Sequence, residues 1–145
     1  KMLHRLDYLF FFFFSGIGGV LTYIYGDVNT LMICLFGFIS FDYISGVIVA
    51  CYEKKLSSSV GFKGLLKKMW ILIMLGVACL LDRALNVNGI CKSMVCCFYI
   101  ANEGISIIEN GGKLGLPIPK KMIDVLLAVK RKAEESEVDK NGSAN

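Results

Sequence analysis

Polar residues divide this chain into apolar runs of membrane-crossing length. The first run, 8–25, reads YLFFFFFSGIGGVLTYIY and carries no charge. At ~1.5 Å per residue it reaches ~27 Å, which is marginal but sufficient to span. Positions 10–14 form a bulky Phe block suited to lipid, and Gly16, Gly18 and Gly19 would let another helix approach closely. The second run, 31–52, holds one charge, Asp42, close to its centre. The third, 67–85, is apolar in the middle, with Lys67, Lys68 and Arg83 placed to snorkel at its ends. The fourth, 90–109, is interrupted by Lys92, Asn102 and Glu103. The turns at 26–30 (GDVNT) and 86–89 (NVNG) are tight and polar. A break is expected at Gly111-Gly112, followed by Pro117 and Pro119.

Beyond Pro119, which suits the first turn of a helix, the periodicity changes. Met122, Ile123, Leu126, Leu127 and Lys130 fall at i, i+1, i+4, i+5 and i+8. Lys120, Lys121, Lys130, Arg131 and Lys132 lie near the polar parts of the same helix. The pattern predicts an amphipathic helix, and the last ~10 residues, all polar or small, are expected to fray. The expected fold is therefore an all-α membrane protein of about four transmembrane helices. A transmembrane domain would cover 1–119, and an amphipathic helix with a charged cytoplasmic tail would cover 120–145.

Composition agrees with a membrane reading. Hydrophobic residues make up 55% of the 145, mean hydropathy is +0.61, and only 19% are charged. The net charge of +4 points to orientation rather than to nucleic acid, for which there is neither a motif nor interleaved aromatic and basic residues. The 53–68 loop, EKKLSSSVGFKGLLKK, holds five Lys against one Glu, and the C-terminal segment is also basic, whereas the 26–30 and 86–89 turns have no Lys or Arg. The positive-inside rule then predicts a multi-pass protein of the bacterial cytoplasmic membrane with that loop and the C-terminus cytoplasmic. Lys1 and Arg5 fit a cytoplasmic N-terminus. A basic head before an apolar run also suits a signal peptide, but the run is long for one and lacks a clean small-x-small site. If the first run is removed or lies in the interface, three spans remain.

The candidate chemistry is polar residues inside these runs. An ionised Asp in hydrocarbon costs at least ~3 kcal/mol on insertion scales. Asp42, with Ser45 and Gly46 on its helical face, is either a pore or proton-path residue or a hydrogen-bonded helix–helix contact. Asn102, Glu103, Ser106, Glu109 and Asn110 form one broad stripe on the fourth run. It reads as a wet surface or subunit contact, or as an internal network with Asp42 or Lys63. Asp82-Arg83 reads as a solvated interfacial charge pair. Lys54, Lys55, Lys67 and Lys68 read as topology signals that touch anionic headgroups. Ser58, Gly61, Lys63 and Gly64 lie in a turn-rich loop, a re-entrant element or a short interfacial helix. Six cysteines, none in paired CxxC spacing, and one His at position 4 predict no metal site. No nucleophile–base pair, P-loop or HExxH motif is present, so no catalytic residue is expected.

In combination, three segments resemble a known family. They are FDYISG, then YEKKLSSSVGFKGLLKK, then FYIANEGISIIENGGKLGLPIPKKM. Their order is similar to that of the phage-lysis and toxin-secretion holins of Gram-positive bacteria and their phages. The shared positions are Asp42, Ser58, Ser59, Gly61, Lys63 and Gly64, then Asn102, Glu103, Ser106, Ile107, Glu109, Asn110, Gly115, Pro117 and Pro119. The likeness runs from about 31 to 127, and the Phe-rich first run lies outside it. It implies a protein that oligomerises in the bilayer and opens lesions through which an endolysin or a large signal-less toxin passes, with no cofactor expected. A small channel or transporter subunit, or an antiholin or scaffold that restrains a holin, would carry similar spans.

Overall fold

A computed structural model describes the backbone of residues 2–142, and the side chains of 14–135 apart from Val60. The described residues form five helices and no strand: α1 (Met2–Tyr25), α2 (Thr30–Tyr52), α3 (Ser58–Leu85), α4 (Ile90–Lys113) and α5 (Lys120–Gly142). Three segments are long and apolar enough to cross a membrane: Thr30–Tyr52, Gly61–Leu85 and Ile90–Lys113. Within α1 the described apolar part is Phe14–Tyr25, and the expected lipid-facing positions 10–13 and His4 lie outside the described side chains.

Local sequence sets the ends of these helices. Asn29 caps α2, its Oδ1 accepting from the Met32 amide at 3.0 Å. Lys54, at φ +55°, closes the other end of α2 by turning the chain left-handed. Asn86, Asn88 and Gly89 all have positive φ, which makes the 86–89 turn tight enough to reverse the chain in four residues. At the far end α4 runs straight through Gly111-Gly112 and stops only at Lys113. The break occurs at Gly115 (φ +73°), after which Pro117 and Pro119 lie in the connector to α5. Paired glycines weaken a helix by about 1 kcal/mol each relative to Ala, too little to end one that is packed on both sides.

Two further boundaries differ from the sequence reading. The third helix begins at Ser58, so Ser58, Gly61, Lys63 and Gly64 are helical rather than loop. Only five residues, 53–57, connect α2 to α3. At the C-terminus α5 continues to Gly142, beyond the point where fraying is expected.

α4 is the central element, touching α2, α3 and α5, while α1 packs on α3 alone among the described residues. The core is small: Met32, Leu35, Ile71, Leu75, Cys79 and Cys96 cluster where α2, α3 and α4 meet. The outer surface is apolar, with Phe41, Ile44, Ile48, Trp70, Ile73 and Leu81 all exposed. Such a surface is unfavourable in water and suits lipid. In lipid, helices gain little from hiding apolar area, so close packing and polar contacts must hold them together. The end of α1 shows both. Tyr25 donates to the Leu72 carbonyl at 2.9 Å, and Gly76 leaves space for Ile24 and Tyr25 to lie against α3.

Candidate functional site

Each of the three long helices turns a 3–4-spaced row of residues inward, the spacing of a helical bundle seam. On α3 the row is Gly61, Gly64, Lys68, Ile71, Leu75 and Asp82. On α2 it passes through Met32, Leu35, Asp42, Ser45 and Val49, and on α4 through Cys96, Tyr99, Glu103, Ser106 and Asn110. Apart from Asp82, the rows are apolar toward the 86–89 turn, and they turn polar toward the 53–57 connector. Where they turn polar, three charges meet. The Lys68 ammonium donates to Asp42 Oδ2 at 2.5 Å and to Glu103 Oε2. The three side chains are only 12%, 13% and 5% exposed.

The rest of the polar set completes the cluster. Asn110 Nδ2 donates to Ser45 Oγ at 3.0 Å and reaches Asp42 Oδ1 at 3.4 Å. Ser45 in turn donates to the Asp42 carbonyl at 3.0 Å. Among the described residues no buried side-chain nitrogen or oxygen lacks a partner. That satisfaction lets charge sit at this depth. Gly61 and Gly64 of α3 pack against Tyr43 of α2, where an added Cβ would make ordinary contact at 3.7 Å with its hydroxyl and its ring, respectively.

A cavity of about 520 Å³ adjoins the cluster. Asp42, Lys68, Glu103 and Asn110 line it, with Asn102, Ser106 and Lys67 around them. Of the five stripe residues on α4, the structure therefore brings Glu103 and Asn110 into the charge cluster and Asn102 and Ser106 to the cavity. Glu109 is exposed and lies outside it. Lys63 is exposed and not part of the network.

Lys68 is the residue that sequence reasoning misplaced. It was expected at the headgroups beside Lys67, but it turns inward because it shares a helix face with Ile71 and Leu75. Extending the buried row of α3 by one turn toward its N-terminus identifies it. The turn-rich reading of 57–64 concealed that row, since a loop has no faces. Lys54, Lys63 and Lys67 are exposed, and exposed Lys55 pairs with Glu53 at 2.9 Å. That pairing holds the Glu53 carboxyl below its ordinary range, through a hydrogen bond first and charge second.

The opposite end of the bundle also differs from expectation. Asp82 and Arg83 do not pair with each other. Buried Asp82 accepts from the Cys91 and Lys92 amides, at 2.8 Å each, and so caps α4 from the preceding helix. Arg83 lies over the Tyr23 ring, 4.9 Å from its centroid, and donates to the Tyr23 carbonyl. Neighbours in sequence point about 100° apart on a helix, so the two charges serve different partners.

Comparison with known proteins follows the same lines. The bacteriophage holin family matches residues 19–131. An uncharacterised Clostridium perfringens protein of 14.9 kDa is 43% identical over 118 residues, covering 81% of this chain and 89% of its own length. An uncharacterised Listeria monocytogenes protein is 38% identical over 122 residues, covering 84% and 87%. A Bacillus phage phi105 protein named as a probable holin is 37% identical over 105 residues, covering 72% and 77%. No solved structure matches. With all-helical architecture, three helices of spanning length and this match over most of its length, the chain belongs to the bacteriophage holin family.

Proposed function

We propose that this protein acts as a holin, oligomerising in the bacterial cytoplasmic membrane and opening lesions that an endolysin or a large signal-less toxin can cross. The observation that carries this reading is the Lys68–Asp42–Glu103 cluster, held between three helices long enough to span. At ~1.5 Å per residue, Asp42 and Glu103 lie roughly 15 Å from the nearest ends of their helices, which is mid-depth in a ~30 Å core.

Desolvating each ion costs several kcal/mol, and mutual attraction in the interior offsets roughly that amount. The closed protomer is thus held by a small difference between large terms. If neighbouring protomers separate these helices and admit water, hydration replaces the ion pairs at little net cost. Hydrocarbon offers no such replacement, so opening requires an assembly that brings water with it. Asp42, Ser45, Asn102, Glu103, Ser106 and Asn110 would then line the wet face, with Glu109 at its exposed edge. Lys54, Lys55, Lys63 and Lys67 lie toward the 53–57 end, which the positive-inside rule assigns to the cytoplasm together with α5. In this reading the N-terminal helix is a fourth span.

The test is inducible expression of the chain in a bacterium that also holds a cytoplasmic endolysin and a large reporter enzyme. Abrupt, delayed lysis with reporter release is the expected result, and Asp42→Asn and Glu103→Gln should shift its timing at unchanged protein level. Depolarisation without reporter release would replace this reading with a small channel. Normal growth with the protein in the membrane would replace it with an antiholin.

A further inference from the structure

α5 returns along α4 rather than leaving it. Ile118 lies near Gly111 and Gly112, Leu126 lies at Gly104, and the Lys130 ammonium sits 5.9 Å from the Phe98 ring centroid. These contacts step backward along α4, so the two helices are antiparallel. The closest approach is at Gly104. A Cβ there would stand 2.9 Å from both terminal methyls of Leu126 and 3.1 Å from the Phe38 ring. With Ala101 fully buried one turn away, this is a small-residue face of the kind through which membrane helices associate.

The position of α5 conflicts with its charge. At ~1.5 Å per residue, Phe98 lies ~22 Å from the Lys113 end of α4. Lys130, Arg131 and Lys132 are therefore carried deep alongside a helix that is itself long and apolar enough to span, and Arg131 and Lys132 are exposed there. Cations at that depth against hydrocarbon are disfavoured. The same helix laid on the headgroups would place them, with Lys120 and Lys121, among anionic lipid, and would sink the now exposed Met122 and Val125 into the apolar layer. α5 thus has two available seats, and only one of them covers Gly104.

We propose that α5 is an autoinhibitory strap over the Gly104 face of α4, and that a second copy of this chain replaces it there. The occupant must be a spanning helix, because the face lies at mid-depth and is apolar. We assign that role to α1, the fourth span of the proposed function: a Cβ added at Gly16, Gly18 or Gly19 would meet nothing within 4 Å outside its own helix, and α1 touches only α3 in its own protomer among the described residues. Contact between α1 of one copy and α4 of the next is head-to-tail, so it repeats from copy to copy. The proposal rests on the holin reading only for what the resulting assembly does.

Full-length Leu126→Glu and Gly104→Leu separate the possibilities, with Leu126→Ala as a milder form of the first. Each is expressed at equal level, inside-out vesicles are treated with trypsin, and cleavage after Lys130 to Lys132 is timed. Amine crosslinking of the same membranes reads oligomers. Both Leu126→Glu and Gly104→Leu should speed cleavage about tenfold or more, since each removes α5 from its seat. Leu126→Glu should also raise the yield of crosslinked oligomers, whereas Gly104→Leu should lower it, because its side chain fills the face. Leu126→Ala should move both readings in the Leu126→Glu direction by less. Unchanged trypsin rates would overturn the docked strap. Faster cleavage in Leu126→Glu with wild-type oligomers would overturn its inhibitory role. If oligomers rise while co-expressed reporter stays inside the cell, the strap stands and the holin reading falls.

Discussion

The bundle buries carboxylates at two levels, one beside the 86–89 turn and one on the 53–57 side of its middle, and uses them in opposite ways. At the first, Asp82 accepts two backbone amides from residues only nine and ten positions further on. At the other, Asp42 and Glu103 share the Lys68 ammonium, a partner 26 and 35 positions away on another helix. The Asp82 contacts are local and survive as long as the α3–α4 turn does. The Lys68 contacts exist only while three helices stay together. One level is therefore a fixed hinge point, and the other is a latch whose partners can all be hydrated if the helices part.

Three substitutions test that contrast. The largest effect is expected from Lys68→Met, which leaves two buried carboxylates without their cation. Breaking a buried pair in this way costs about 3–5 kcal/mol. The melting temperature in detergent should fall sharply, and adding Asp42→Asn and Glu103→Gln to the same chain should recover most of it. An unchanged melting temperature would mean that water already reaches the cluster, and the latch would lose its basis.

A smaller, confined effect is expected from Asp82→Ala, at about 1–2 kcal/mol for the loss of a cap. Hydrogen exchange should rise at the Cys91 and Lys92 amides and little elsewhere. A rise that spreads to α2 would show that the two levels are coupled rather than separate. Smallest of all, Lys55→Ala touches an exposed pair and should leave thermal stability unchanged. The Glu53 carboxyl should then titrate closer to its ordinary range, because its depressing neighbour is gone. Its lowered folded value adds stability only above the ordinary range, and that part is lost as pH falls through the folded value. Because the pair lies at the surface, screening makes that part too small to alter melting.

How far the sequence could be read depended on whether a residue's partners were near it. The polar positions Asp42, Ser45, Glu103 and Asn110 were legible, because a polar residue in an apolar run stands out. The cation was not, since Lys68 sits among five lysines in 53–68 and only the row Ile71, Leu75, Asp82 tells it from Lys67. Asp82 was read as a surface charge because its partners are backbone amides, which leave no residue-type signature. The turn at 86–89 and the Pro117–Pro119 connector were legible from composition alone. The end of α4 was displaced by a few residues, since packing against α2 and α5 outweighs the weakness of Gly111-Gly112. The return of α5 along α4 left no sequence signal, because an amphipathic helix looks the same whether it lies on lipid or on protein.

Lys68 brings one positive charge to two carboxylates, so each protomer formally retains one negative charge at that level. Copies arranged around an axis would set these charges in a single girdle. Like charges in a girdle repel, and the repulsion between neighbours eases as the girdle widens and counter-ions enter. If the proposed assembly forms with both carboxylates charged, a closed circle of few copies is electrostatically worse than one of many, and the two-to-one ratio in each protomer then favours a wide opening.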